Sequence, residues 1–268
     1  MLKTEMRNPN TTHIDKMSTL EMLQIINEEN KKTVLAVENE LHSISLAVDA
    51  IADTLKNGGR MFAMGAGTSG RLAVADAAEC PPTFGVPKEM FVGLIAGGDS
   101  CFRSASENVE DIGTCGVDDL KKHHLTGNDI VVGISAAGGA SYVLQALSYA
   151  QSLGCKTIGI TSNKGSQLDL LADISISPDT GAEVITGSTR MKAGTAQKLI
   201  LNMLSTCAMI KNGYVYENLM INLKPSNEKL RRRIVNIVTE LSKASESEAL
   251  AALERCEWDI RKTIDTLG

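Results

Sequence analysis

The 268 residues carry 27 Lys and Arg against 32 Asp and Glu, a formal charge of −5 that disfavours nucleic-acid binding through a basic face. With 43% hydrophobic and 22% charged residues the chain can bury a sizeable core, which excludes disorder and collagen-like repeats. Aromatics are only 3%, too few for a base-stacking platform, so Leu, Ile, Val, Ala and Met must build that core.

The opening Met1-Leu2-Lys3-Thr4-Glu5 has no apolar secretory stretch, and the greasiest segment, 199–210, is too short for a membrane span and is interrupted by Asn202, Ser205 and Thr206. The expected setting is cytoplasmic, with no membrane partner. Ser18-Thr19-Leu20-Glu21 has capping-box spacing and predicts a short helix. From Val34 the series Val37, Leu41, Ile44, Val48, Ile51, Leu55 lays one apolar seam along a long helix ended by Asn57-Gly58-Gly59. That seam packs on the chain's own sheet or contributes to a dimer.

Beyond Gly59 short β-type runs, at 60–64, 91–95, 129–134, 156–161 and 173–177, alternate with Gly/Ser turns and helical patterns. Near-continuous apolar strands such as Ile130-Val131-Val132-Gly133-Ile134 predict a parallel sheet covered on both faces, a doubly wound α/β core. Such sheets bind ligands beyond the carboxyl ends of their strands. Residues 191–210 read as a buried helix, and the rest as charged helices. In that tail Lys229-Leu230-Arg231-Arg232-Arg233 reads as a solvated face, and 245–267 as two small helices around Trp258. The expected division is 1–51 (helical), 52–215 (α/β) and 216–268 (helical tail).

Three loops carry the candidate chemistry. Gly65-Ala66-Gly67-Thr68-Ser69-Gly70 follows a strand and opens a helix, matching GxGxxG. No acidic residue stands at the tip of the second strand, where Ala96-Gly97-Gly98 sits, and Pro81-Pro82 is expected to cut the helix short. A phosphate monoester at the helix amides, with Gly67, Thr68, Ser69 and Gly70 as contacts, fits better than a dinucleotide. The loop from Ser135 to Ser141 after the third strand is comparable, and the segment 181–192 adds Glu183, Ser188, Thr189 and Lys192. All four histidines lie outside these loops, so acid–base work falls to carboxylates. Glu79 is expected to close the first helix, where the macrodipole favours a protonated carboxyl and so a proton donor. Glu107 and Glu110 are expected on one face of the helix after the second strand. The six cysteines form no CxxC pair and no Cys/His cluster, so no metal site is expected.

The segments Gly65-Ala66-Gly67-Thr68-Ser69-Gly70-Arg71-Leu72, Asp76-Ala77-Ala78-Glu79-Cys80-Pro81-Pro82-Thr83-Phe84-Gly85 and Gly187-Ser188-Thr189-Arg190-Met191-Lys192-Ala193-Gly194 closely resemble signatures of the N-acetylmuramic acid 6-phosphate etherases, over nearly the whole chain. That family belongs to the sugar isomerase (SIS) fold class, with glucokinase regulatory protein a distant noncatalytic relative. The resemblance implies cleavage of the D-lactyl ether of N-acetylmuramate 6-phosphate, no cofactor, a homodimer, and catalytic glutamates at Glu79 and Glu110. Two other readings are a sugar-phosphate isomerase and a sugar-phosphate sensor without turnover. Where the family usually reads Ala-Ser-Gly-Arg-Thr-Pro-Tyr, this chain has Ala136-Ala137-Gly138-Gly139-Ala140-Ser141-Tyr142, lacking an Arg and two hydroxyls. The tail ends about one or two helices short of the family's usual ubiquitin-associated-like region.

Overall fold

Residues 2–104, 109–225 and 227–268 are described by the computed structural model. Ser18 caps the first helix as its spacing predicts: its hydroxyl accepts from the Glu21 N–H, and the Glu21 carboxylate accepts from the Ser18 N–H at 2.7 Å. The helix it starts, α1 (Thr19–Glu38), is 20 residues long rather than short. The expected long helix through the seam is broken at Asn39 and Glu40, and α2 spans Leu41–Lys56. At the break the Glu40 N–H turns to the Val37 carbonyl at 3.0 Å, and the Glu40 carbonyl accepts from the Ile44 N–H at 2.9 Å to start α2. The break divides the seam. Val37, Ile44, Val48, Ile51 and Leu55 join the core beneath the sheet, whereas Val34 and Leu41 stay 57% and 48% exposed.

The sheet forms from β1 (Met61–Gly65), β2 (Phe91–Ile95), β3 (Ile130–Ile134), β4 (Lys156–Ile160) and β5 (Ile174–Ile176), all parallel in the order β2-β1-β3-β4-β5. Each strand falls within one residue of its predicted bounds. Alternation directs Met61 and Ala63 into one core and Phe62 and Met64 into the other, which is why the strands read as continuously apolar. On the first face lie α2, α3 (Gly67–Phe84) and α8 (Lys192–Lys211), through residues such as Ile51, Ala73 and Ile200. The short α4 (Ser100–Arg103) follows β2. Covering the second face are α5 (Gly113–Lys122), α6 (Ser141–Ser152) and α7 (Gln167–Leu171), through Leu120, Val143, Leu147 and Leu168. The architecture is the expected doubly wound α/β sheet. Because α2 shares the sheet's core, it belongs physically with the α/β unit that the expected division begins at residue 52.

Two local expectations differ from the structure. Pro81 and Pro82 do not stop α3, which runs on to Phe84 and ends at Gly85 in the left-handed region, φ 69°. The backbone bonds the prolines forfeit are outweighed because Cys80 and Phe84 anchor that last turn in the core. The helix expected to carry Glu107 and Glu110 differs in its described part. Glu107 lies outside the described residues, and Val109–Asp111 form a single 3-10 turn before α5.

Beyond α8 the chain forms a small antiparallel ribbon, β6 (Val215–Tyr216) with β7 (Leu219–Met220), for which the sequence showed no alternation long enough to read. The tail helices α9 (Glu228–Ser242), α10 (Glu246–Arg255) and α11 (Ile260–Leu267) enclose a separate apolar cluster around Ile234, Val238, Leu253 and Ile260. Trp258 sits between α10 and α11, with the Arg231 guanidinium 5.0 Å above its ring. Arg231, Arg232 and Arg233 are all exposed, as a solvated face requires, and Arg231 in addition stands over that ring.

Candidate functional site

Strand order reverses between β1 and β3, so the loops leaving them diverge and open a crevice at their carboxyl ends. A cavity of about 290 Å³ lies there. One wall is Ala66, Gly67, Thr68 and Ser69; a second is Ser135, Ala136, Ala137 and Ala140; Gly187 and Thr189 form a third. Two carboxylates complete the lining, Glu110 and Glu5.

The first wall is an anion seat. Gly67, Thr68 and Ser69 open α3, so their N–H groups have no partner within the helix and add to its positive end. The Ser69 hydroxyl donates to Gln197 Oε1 at 3.0 Å and is therefore held by α8, leaving the amide as its contribution to a ligand. Gly70 does not line the cavity. A Cβ there would stand 2.4 Å from the Gly65 carbonyl oxygen, so this glycine lets α3 lie directly on the strand ends. On the second wall Ser135 Oγ accepts from the Gly138 N–H at 3.1 Å, and its own proton has no acceptor among the described residues.

Several predicted contacts are committed elsewhere. Glu183 is fully buried and accepts from the Lys192 and Ala193 N–H groups at 2.9 and 3.0 Å, capping α8 rather than touching a ligand. Lys192 is 1% exposed, and its Nζ donates to Glu29 Oε2 at 2.7 Å. Burial opposes the charge on Glu29, but hydrogen bonds from Lys192, Lys32, Asn10 and Asn8 outweigh it and hold the carboxyl at about 2. The Lys192 ammonium is thus spent on an internal pair and is unavailable to an oxyanion. Ser141 begins α6 and Ser188 is half-buried beside Thr189; neither lines the cavity.

Glu79 is the largest departure. It sits inside α3, more than a turn before the helix end, so the dipole argument for a proton donor lapses. Twelve residues separate it from Gly67, about 18 Å along the helix, and its side chain is exposed outside the cavity. The next residue, Cys80, is no nucleophile: burial and the Asp76 carboxylate push its thiol up to about 12.

Sequence reasoning missed Glu5. It arrives on an arm of 3-10 turns pinned by distant residues: Asn163 accepts from the Lys3 N–H at 2.9 Å and donates to Thr4 Oγ1 at 3.1 Å. Asn8 and Thr11 donate to the carbonyls of Ala182 and Val184 at 3.2 and 2.8 Å. No local periodicity announces such contacts. Among the described residues there is no group of three or more His, Cys, Asp or Glu placed to hold a metal, and no helix long and apolar enough to cross a membrane.

Comparison with known proteins follows the same lines. Residues 43–151 match the family described as glucokinase regulatory protein N-terminal SIS domain, and residues 102–206 match the SIS domain. The chain is 54% identical over 252 residues to the N-acetylmuramic acid 6-phosphate etherase of Pasteurella multocida, covering 94% of this chain and 84% of that one. It is 51% identical over 261 residues to the etherase of Escherichia coli, covering 97% and 88%. Among solved structures, a phosphoheptose isomerase from Francisella tularensis superposes with TM-score 0.56 at 20% identity, over 72% of this chain and 100% of that one. One from Neisseria gonorrhoeae gives 0.54 at 18% identity, over 71% and 98%. These last two share the fold.

Proposed function

The chain belongs to the N-acetylmuramic acid 6-phosphate etherase family, and from that membership we propose how its residues divide the reaction. It is a carbon–oxygen lyase that cleaves the D-lactyl ether of N-acetylmuramate 6-phosphate, giving N-acetylglucosamine 6-phosphate and D-lactate. The observation that carries the residue assignment is that Glu110 and the free α3 amides line one cavity. The 6-phosphate sits on the amides of Gly67, Thr68 and Ser69. In the open-chain sugar the C2 hydrogen is α to the aldehyde and the lactyl oxygen on C3 is β to it. Glu110 removes the C2 proton, and the Ser135 hydroxyl and backbone amides, rather than Lys192, bear the enolate-like charge. An acid then protonates the departing lactate oxygen, and water adds to the unsaturated aldehyde at C3.

We assign that acid to Glu79 of a second copy of the chain, since its own cavity lies about 18 Å along α3. A homodimer is supported by the apolar side chains α1 leaves uncovered, Leu20 at 65%, Leu23 at 58% and Leu35 at 59% exposed. Six free cysteines and a phosphorylated substrate support a cytoplasmic setting. The −5 charge argues against nucleic acid as a partner.

The direct test is to incubate the protein with N-acetylmuramate 6-phosphate and follow D-lactate with a coupled dehydrogenase. Release is the expected result; binding without release would make the protein a sensor, and a new ketose from another hexose phosphate an isomerase. Sharing of sites has its own signature. Mixing and re-associating inactive Glu79→Ala and Glu110→Ala chains is expected to restore about a quarter of wild-type activity, because half the dimers are mixed and each rebuilds one of two sites. No recovery would place both glutamates in one chain's site.

The altered loop gives a third expectation. Gly138 has φ 75°, and a Cβ there would strike Ser166 Oγ at 2.1 Å, whereas Gly139 has no atom within 4 Å of its Cβ position. Gly139→Arg therefore fits without strain beside Ala137 and Ala140. It is expected to tighten binding of N-acetylglucosamine 6-phosphate about 10-fold through a charged hydrogen bond. Titration calorimetry measures this, and unchanged or weaker binding would sink the expectation.

A further inference from the structure

We propose that Glu5 is a substrate-contacting residue, accepting hydrogen bonds from hydroxyl or amide N–H groups of the bound sugar; the proposal deepens the etherase reading and rests on it. Three observations carry it. Glu5 lines the same cavity as Glu110 and the α3 amides and is exposed. Its carboxylate has no hydrogen-bond or ion-pair partner among the described residues. Its neighbours, in contrast, are fixed. Thr4 is fully buried against Asn163, and Asn163 Nδ2 also donates to the carbonyl of Ala136 at 2.9 Å, so one amide ties the arm to the cavity's own wall. Asn8 and Thr11 hold the arm to the segment that leads into Gly187 and Thr189. A Cβ on Gly187 would stand 3.3 Å from Glu5 Oε2, which sets the carboxylate against that third wall.

The chemistry of the two sides then restricts the role. An ionised carboxylate only accepts hydrogen bonds. The substrate's phosphate and lactyl carboxylate are anions with nothing to donate, and both are repelled by it. Donors come from the sugar, as its hydroxyls and its acetamido N–H. Glu5 thus reads the sugar while the amides of α3 hold the phosphate. Replacing a charged acceptor by a neutral one weakens a ligand-facing hydrogen bond by about 10- to 100-fold.

The experiment titrates wild type, Glu5→Gln, Glu5→Ala and Glu5→Asp with N-acetylglucosamine 6-phosphate and, separately, with inorganic phosphate, and measures D-lactate release by each. Glu5→Gln and Glu5→Ala are expected to bind the sugar phosphate about 10- to 100-fold more weakly and to change phosphate affinity less than 2-fold. Their loss in kcat/KM is expected mainly in KM, and Glu5→Asp is expected to recover part of it. Sugar-phosphate binding by Glu5→Gln within 2-fold of wild type overturns the proposal. So does equal weakening of both ligands, which would mean that Glu5 only shapes the cavity. Absence of lactate release by the wild type would count against the etherase reading alone, because the binding comparison stands without turnover.

Discussion

Glu110→Gln is expected to lower D-lactate release by roughly 10²- to 10⁴-fold, the usual contribution of a positioned general base. It is also expected to stop exchange of the C2 hydrogen with solvent deuterium. Glutamine keeps the size of the side chain but cannot take a proton, so the loss falls on the first chemical step. The single 3-10 turn at Val109–Asp111 delivers Glu110 to the cavity edge. Glu79→Gln makes the contrast: if Glu79 acts only on the departing oxygen, exchange survives in part while lactate release is lost. Proton NMR of N-acetylmuramate 6-phosphate in deuterated buffer follows both events in one sample. Equal C2 exchange in wild type and Glu110→Gln would remove Glu110 from the role of base.

Lys192→Met is expected to destabilise the fold by about 3–5 kcal/mol, because it strips the partner from a carboxylate that has nowhere to go. Glu29 is 2% exposed, on α1, and Lys192 begins α8, so the pair joins the outer helix to the helix that follows the third wall. Its remaining donors, Lys32, Asn10 and Asn8, soften the loss without replacing the buried cation. The pH dependence fixes the sign. Wild-type Glu29 is held at about 2, below its ordinary 4.5, so its stabilisation is complete above about pH 4.5 and disappears as pH falls towards 2. Without Lys192 the lone carboxylate is relieved by protonation, and the deficit against wild type is expected to narrow below pH 4.5. Urea unfolding at pH 7 and at pH 3.5 measures both. A deficit under 1 kcal/mol at neutral pH would show that the pair is not holding α1 to α8.

What the sequence disclosed and what it hid follow one physical division. The five strands, the Ser18 cap and the buried helix from Lys192 were legible because local pattern and final burial agree: alternation, hydroxyl-to-carboxylate spacing and an all-round apolar run each state their own environment. The first two walls of the cavity were legible for the same reason, since a glycine loop between strand and helix makes an anion seat by backbone geometry alone. The internal partners of Glu183 and Lys192 were hidden because charged residues near a helix start look alike whether they meet a ligand or each other. Their partners, the α8 amides and Glu29 on α1, are set by tertiary packing. Pro81-Pro82 misled because the anchoring of Phe84 is equally non-local. Glu5 gave no signal at all, its placement resting on an asparagine some 160 positions away.

That separation along the chain has a consequence for how the enzyme is made. Lys3, Asn8 and Thr11 leave the ribosome first, yet the groups they dock to, Asn163, Ala182 and Val184, emerge only after the fourth strand has been synthesised. Loop closure of this span is slow compared with pairing of neighbouring strands and helices. The cavity's last wall-piece therefore cannot close until the segment through Val184 has been made, and a nascent chain lacks its full set of acidic groups until then.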